Sequence, residues 1–206
     1  MFSSLDEKID FIINTLENLY PNPKIPLDHK NTFTFLVAVM LSAQSTDKKV
    51  NEITPALFAK ADSAKKMSLL NVEKIKKLIR QIGLAPTKSK NIKKMSQILV
   101  NKYNGKVPNS LEELKALPGV GQKTASVIIS QIFNKPAFPV DTHIHRLAYR
   151  WKLSSGKNVV QTEKDLKIIF PVDLWNKLHL QIIFFGREYC KSKKTKCNCI
   201  ICSKII

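Results

Sequence analysis

The stretch "LPGVGQKTA", Leu117 to Ala125, places two glycines around one valine and then a lysine, Lys123, two residues on. Before it, "SLEELKAL" opens with Ser110 and Glu113 three apart, the spacing of a capping box that satisfies backbone N–H groups at a helix start. Pro118 stops that helix. Gly119 and Gly121 read as positions of positive φ and close backbone approach, and "QKTASVIISQIF" after them is apolar enough for a buried helix. The segment is therefore helix, hairpin, helix. Its second helix starts at the positive end of a macrodipole, where an anion such as a nucleic-acid phosphate fits. A cation in the first turn is poorly placed for helix stability, so Lys123 asks for another reason; on spacing alone it is a lysine that meets phosphate or water.

Working outward, 206 residues with 44% hydrophobic content can bury a core in one domain or two small ones. The formal charge is +18, which points to a polyanionic partner, nucleic acid before membrane. The arginines are only Arg80, Arg146, Arg150 and Arg187, so the charge is overwhelmingly lysine, and a coding bias would also produce it. No run approaches a transmembrane span, and "MFSSLDEKIDFIINTL" is amphipathic rather than a signal peptide. These features predict a soluble, cytoplasmic chain.

Leu5, Ile9, Ile12, Leu16 and Leu19 recur at helical spacing behind a capping box from Ser4 and Glu7. Further helices are expected at about 33–44, 47–60, 71–81, 87–103, 110–117, 122–133, 142–151, 160–169 and 173–189, parted by Pro, Gly or Asn. No convincing strand pair is present, so the fold class is all-α. Asp47 is a candidate N-cap. In "FPVDTHIHR", Pro139 precedes a short extended piece and Asp141 caps the next helix. An Asp at an N-cap is most often structural, yet near an amine a carboxylate is also able to accept protons or stabilise a sugar cation.

"LSAQSTD", "GLAPTKSKNI", "LPGVGQKTA", "VDTHIHR" and "GREYC" followed by a cysteine cluster stand in this order along the chain, and together they resemble the helix-hairpin-helix DNA glycosylases of the endonuclease III type. The resemblance runs from about residue 5 to 202. It implies a two-domain fold, with a six-helix domain at 24–134 and a second at 1–23 plus 135–206, and an active-site cleft between them. Lys123 would be the nucleophile and Asp141 the carboxylate. Gln44 and Leu84 would be wedge residues that fill the hole left by an extruded nucleotide. His143 and Arg146 would be pocket or structural residues. Ala85 and Pro86 depart from the family, where an aromatic or polar residue commonly follows the leucine; damage preference depends on this loop.

All four cysteines, Cys190, Cys197, Cys199 and Cys202, fall near the C-terminus, which in a reducing compartment reads as metal ligation before disulfides. The resemblance implies a [4Fe-4S] cluster, but the family spacing C-x6-C-x2-C-x5-C is here C-x6-C-x-C-x2-C. Zinc held by four thiolates is the alternative. Between the first two ligands, "KSKKTK" carries Lys191, Lys193, Lys194 and Lys196, a basic knuckle for the phosphate backbone. With Gln44, Leu84, Gly119 and Gly121 these lysines make up the expected DNA contacts.

The implied activity is base excision repair: a bifunctional glycosylase and abasic-site lyase removing oxidised pyrimidines from double-stranded DNA, acting as a monomer and associated with the nucleoid in a bacterium. A monofunctional adenine or alkyl-base glycosylase and a non-catalytic helix-hairpin-helix module are the competing readings.

Overall fold

The structure is a computed structural model that describes residues 2–192 and 197–205. All regular structure among these residues is helical. The chain divides into two compact units, one of residues 25–133, here the hairpin unit, and one of residues 1–24 with 134–206, here the terminal unit. Among the described residues no helix is long and apolar enough to cross a membrane.

The hairpin unit is built around α2 (Thr32–Ser42), whose sequence TFTFLVAVMLS has almost no polar face. Phe35, Leu36, Val37, Ala38 and Leu41 are fully buried, so this helix needs neighbours on every side. It is packed by α3 (Asp47–Lys60), α6 (Ala85–Tyr103) and α8 (Gln122–Gln131). The long α6 also carries α4 (Ala64–Leu69) and α5 (Val72–Leu78), and the five-residue α7 (Leu111–Lys115) lies against α8. Alternation of buried Ala85, Lys88, Ser89, Ile92, Met95, Ser96 and Leu99 gives α6 a helical-period inner face that includes one lysine.

In the terminal unit α1 (Leu5–Leu19) packs on α11 (Trp175–Glu188), which also packs on α9 (Thr142–Arg150); α10 (Val159–Ile169) closes on α9. Ile12, Leu16, Phe138, Trp151 and Phe185 form the fully buried centre of this core. A 3-10 turn at Val172–Leu174 leads into α11, and α12 (Cys202–Ile205) ends the chain's helices.

Several local expectations change. Ser4 does cap α1 by accepting from the Glu7 N–H at 3.1 Å, but the Glu7 carboxylate reaches Ser3, accepting from its N–H and its hydroxyl. Ser110 makes no side-chain cap bond, so the expected box of Ser110 and Glu113 at α7 does not form. Thr46, and not Asp47, caps α3, its hydroxyl accepting from the Lys49 N–H at 3.2 Å. Helices α4 and α12 were not expected, because neither is long enough to show a period.

Candidate active site and metal centre

The hairpin closes through turn bonds from the Leu117 N–H to Leu114 O and from the Val120 N–H to Leu117 O, both 3.1 Å. Gly119 has φ +79, and a Cβ there would meet Met40 Cε and Asn91 Nδ2 at 2.9 Å. This glycine thus meets the positive-φ expectation and lets the turn press against both α2 and α6. Gly121 differs from the expectation: its φ is −88, in the extended region open to any residue, and a Cβ would meet nothing within 4 Å. It is the N-cap of α8, with no side-chain cap bond. The absent side chain therefore serves open space in front of the helix start. Lys123 stands exposed in the first turn of α8.

The two expected wedge residues come together in this unit. α2 ends at Ser42, two residues short of Gln44, which takes φ 57 and is exposed. Leu84 takes φ 63 and is 54% exposed, which removes it from the core leucines. It precedes α6, whose second residue is Pro86, a position where proline loses no helix bond. The two segments touch: the Gly83 N–H donates to Ser45 Oγ at 3.3 Å, and a Cβ on Gly83 would lie 3.1 Å from Gln44 O.

Lys88, 6% exposed, reaches from α6 to the end of α2. Its ammonium donates to Leu41 O at 2.8 Å and to Ala43 O. Burial holds its pKa below the ordinary lysine value. Sequence reading passed over Lys88, although its place on the apolar period of α6 was a visible signal.

In the terminal unit Asp141 is the N-cap of α9, its Oδ1 accepting from the Ile144 N–H at 2.8 Å. The extended piece before it has no strand partner. It is held by α11 instead: Asn176 Oδ1 accepts from the Ala137 N–H at 3.2 Å, and His179 Nδ1 donates to Pro139 O at 2.8 Å. His179 is buried, and this bond puts the proton on Nδ1. Neither α11 residue was singled out from sequence. Arg146, a candidate pocket residue, donates through Nη2 to Gly186 O at 3.1 Å and Cys190 O at 2.8 Å, a structural tie between α9 and the approach to the cysteines.

The sulfurs of Cys190, Cys197, Cys199 and Cys202 all lie within 4.8 Å of one another, close enough to bind metal. Cys190 and Cys202 are fully buried with sulfurs 3.8 Å apart, too far for a disulfide. The Cys202 N–H donates to Cys199 Sγ at 3.5 Å, and Arg150 Nη1 donates to Cys190 Sγ at 3.1 Å, a charge that offsets a thiolate. The donor set suits either an iron–sulfur cluster or one zinc ion. Lys191 is exposed; Lys193, Lys194 and Lys196 lie outside the described residues.

Residues 37–172 match the model of the HhH-GPD superfamily of base excision DNA repair proteins. This chain belongs to that superfamily. Within it, the chain is 40% identical over 191 residues to endonuclease III of Escherichia coli K12, covering 92% of this chain and 90% of that protein. It is 38% identical over 192 residues to endonuclease III of Bacillus subtilis 168, covering 93% and 88%. Among solved structures, a non-covalent endonuclease III–DNA complex aligns with TM-score 0.90 at 38% identity, over 98% of this chain and 94% of the other. A trapped endonuclease III–DNA covalent intermediate, an estranged-adenine complex, aligns with TM-score 0.89 at 37% identity, over 99% of each. The all-helical structure of the described residues and the four clustered cysteines near the C-terminus agree with that family.

Proposed function

We propose that the chain is a base excision repair enzyme, a DNA glycosylase and abasic-site lyase whose substrates are oxidised pyrimidines in duplex DNA. The observation that carries this reading is Lys123, an exposed amine in the first turn of the helix after a glycine hairpin, in a chain that matches a trapped endonuclease III–DNA covalent intermediate over nearly its whole length. An amine so placed meets phosphate-bound DNA directly.

The Lys123 amine attacks C1′ of an extruded nucleotide. The bond from C1′ to the base breaks and the base leaves with the bonding electrons, taking up a proton. The C1′ adduct opens to a Schiff base, which acidifies C2′; loss of a C2′ proton expels the 3′ phosphate, and water then releases the lysine. Asp141 serves proton transfer or stabilises the developing sugar cation. Gln44 faces the orphaned base and Leu84 enters between base steps. Gly119 and Gly121 bring the hairpin backbone up to phosphate, and the lysines at 191, 193, 194 and 196 add sequence-independent contacts. Both reactive residues come from one chain, which supports action as a monomer, and the DNA substrate supports a cytoplasmic, nucleoid-associated location.

The four cysteines hold a [4Fe-4S] cluster in this reading, supported by the family and the four-thiol donor set. A second reading, one zinc ion, is favoured by the compact sulfurs: zinc with bonds near 2.3 Å sets a tetrahedral edge of about 3.8 Å, the separation found between Cys190 and Cys202. Either group would be structural, ordering the C-terminal loop.

The test of the enzyme is borohydride reduction with duplex DNA carrying an abasic site. Wild-type protein is expected to give a covalent protein–DNA band and Lys123→Ala none, with unchanged thermal unfolding because the side chain is exposed. An undiminished band in the variant assigns the chemistry to another amine.

A further inference from the structure

Helix α2 has no basic residue in its last turn and no glycine after it, yet it ends abruptly and hands over to Gln44 in a left-handed conformation. A non-glycine residue held there costs energy that its surroundings must offset. The carbonyls at this end account for how. Val39 O accepts from Ser42 Oγ at 2.9 Å and Ser42 O from the Ser45 N–H at 3.0 Å, while Leu41 O and Ala43 O accept from Lys88. A lysine from another helix therefore does what a C-terminal cap does in sequence.

Lys88 is also four residues after Leu84 on α6, and the Lys88 N–H donates to Leu84 O at 2.9 Å. Its backbone thus holds one left-handed residue as its side chain terminates the helix before the other. The Gly83 to Ser45 bond ties the two segments a second time. One buried side chain and one hydroxyl fix the spacing of Gln44 and Leu84.

We infer that Lys88 is a positioning residue that makes Gln44 and Leu84 a single rigid probe, so that both enter the duplex together when a nucleotide is extruded. This rests on the reading of those two residues as wedges. Lys88 touches neither the substrate nor the reacting atoms. Its effect should be confined to DNA in which a hole must be filled, and it should vanish when the wedge is already cut away.

The experiment compares wild type, Lys88→Met, Gln44→Ala and the double variant on three readouts. These are excision from a duplex carrying an oxidised pyrimidine, fluorescence of 2-aminopurine placed opposite the lesion, and borohydride trapping on a single-stranded abasic oligonucleotide that has no orphaned base. Lys88→Met is expected to slow duplex excision and the fluorescence rise by about tenfold or more, as the buried Leu41 carbonyl and the Ala43 carbonyl lose their donor. Single-strand trapping should change by less than about threefold, and Lys88→Met should add almost nothing on top of Gln44→Ala. Equal losses on single and double strands, or losses that multiply in the double variant, would overturn the inference. Ser45→Ala, which cuts the surface tie without touching the buried lysine, covers the case in which Lys88→Met does not fold: it should slow the fluorescence rise by about two- to fivefold, and a wild-type response would reject the coupling. Wild-type protein inactive on every substrate would reject the proposed enzyme itself, a different failure.

Discussion

At Asp141 substitution separates the cap that the structure shows from the chemistry proposed for it. Its Oδ1 accepts the Ile144 N–H, so the structural role expected of an N-cap aspartate is present whatever its chemistry. Asparagine keeps the acceptor and the shape but removes the charge. Asp141→Asn should therefore leave the unfolding midpoint nearly unchanged while excision falls by about 10²–10⁴-fold, the range of general acid–base catalysis. Asp141→Ala should lose the cap as well and cost about 1 kcal/mol more in stability. Thermal unfolding beside single-turnover excision reads both; normal excision by the asparagine variant would leave Asp141 as a cap alone.

Among the elements, the crossing of α2 and α6 organises the candidate site. Met40 and Asn91 meet the hairpin at Gly119; Lys88 lies one turn from Asn91 on α6, and Gln44 lies two residues beyond the end of α2. The two hairpin glycines then differ in kind. Gly119→Ala must accept φ +79 and contacts at 2.9 Å, so a loss of about 1–3 kcal/mol is expected. Gly121→Ala meets open space at an ordinary φ and should change stability by less than about 0.5 kcal/mol. Its methyl group would instead occupy the space proposed for phosphate, so DNA binding should weaken in a chain that melts normally. Equilibrium unfolding and duplex titration of the pair distinguish these outcomes.

Across the whole molecule, the C-terminal centre joins the last stretch of chain to the core of the terminal unit, since Cys190, Cys197 and Cys202 are themselves part of that core. Metal binding would then contribute folding free energy. Anaerobically purified protein is expected to be brown with about four irons per chain if the centre is a cluster, or colourless with about one zinc if it is a single ion. Removal of the metal, or Cys202→Ser, should lower the unfolding temperature while Lys123 still traps abasic DNA at temperatures where the chain remains folded. Protein free of both metals by elemental analysis, with an unchanged melting point, would leave the cysteines as core residues only.

The helix-hairpin-helix, the amphipathic first helix, the capping aspartate and the cysteine cluster were legible in sequence because each is local: a period, a turn residue or a spacing fixes it within about a dozen residues. Short helices escaped, α4 and α12 having too few residues to show a period. The capping box at Ser110 was legible but does not form, the Ser110 side chain making no cap bond to the five-residue helix. The left-handed turns at Gln44 and Leu84 could not be read, since neither residue favours that region. Beside them are contacts between distant positions: Lys88, buried through its place on α6, supplies donors to the end of α2, and Ser45 meets Gly83 thirty-eight positions away. Likewise His179 and Asn176 hold the segment before Asp141 only once α11 has packed beside it. Sequence singled out the groups proposed to carry chemistry; the tertiary structure decided how they are held, because a buried donor finds its acceptor through packing and not through distance along the chain.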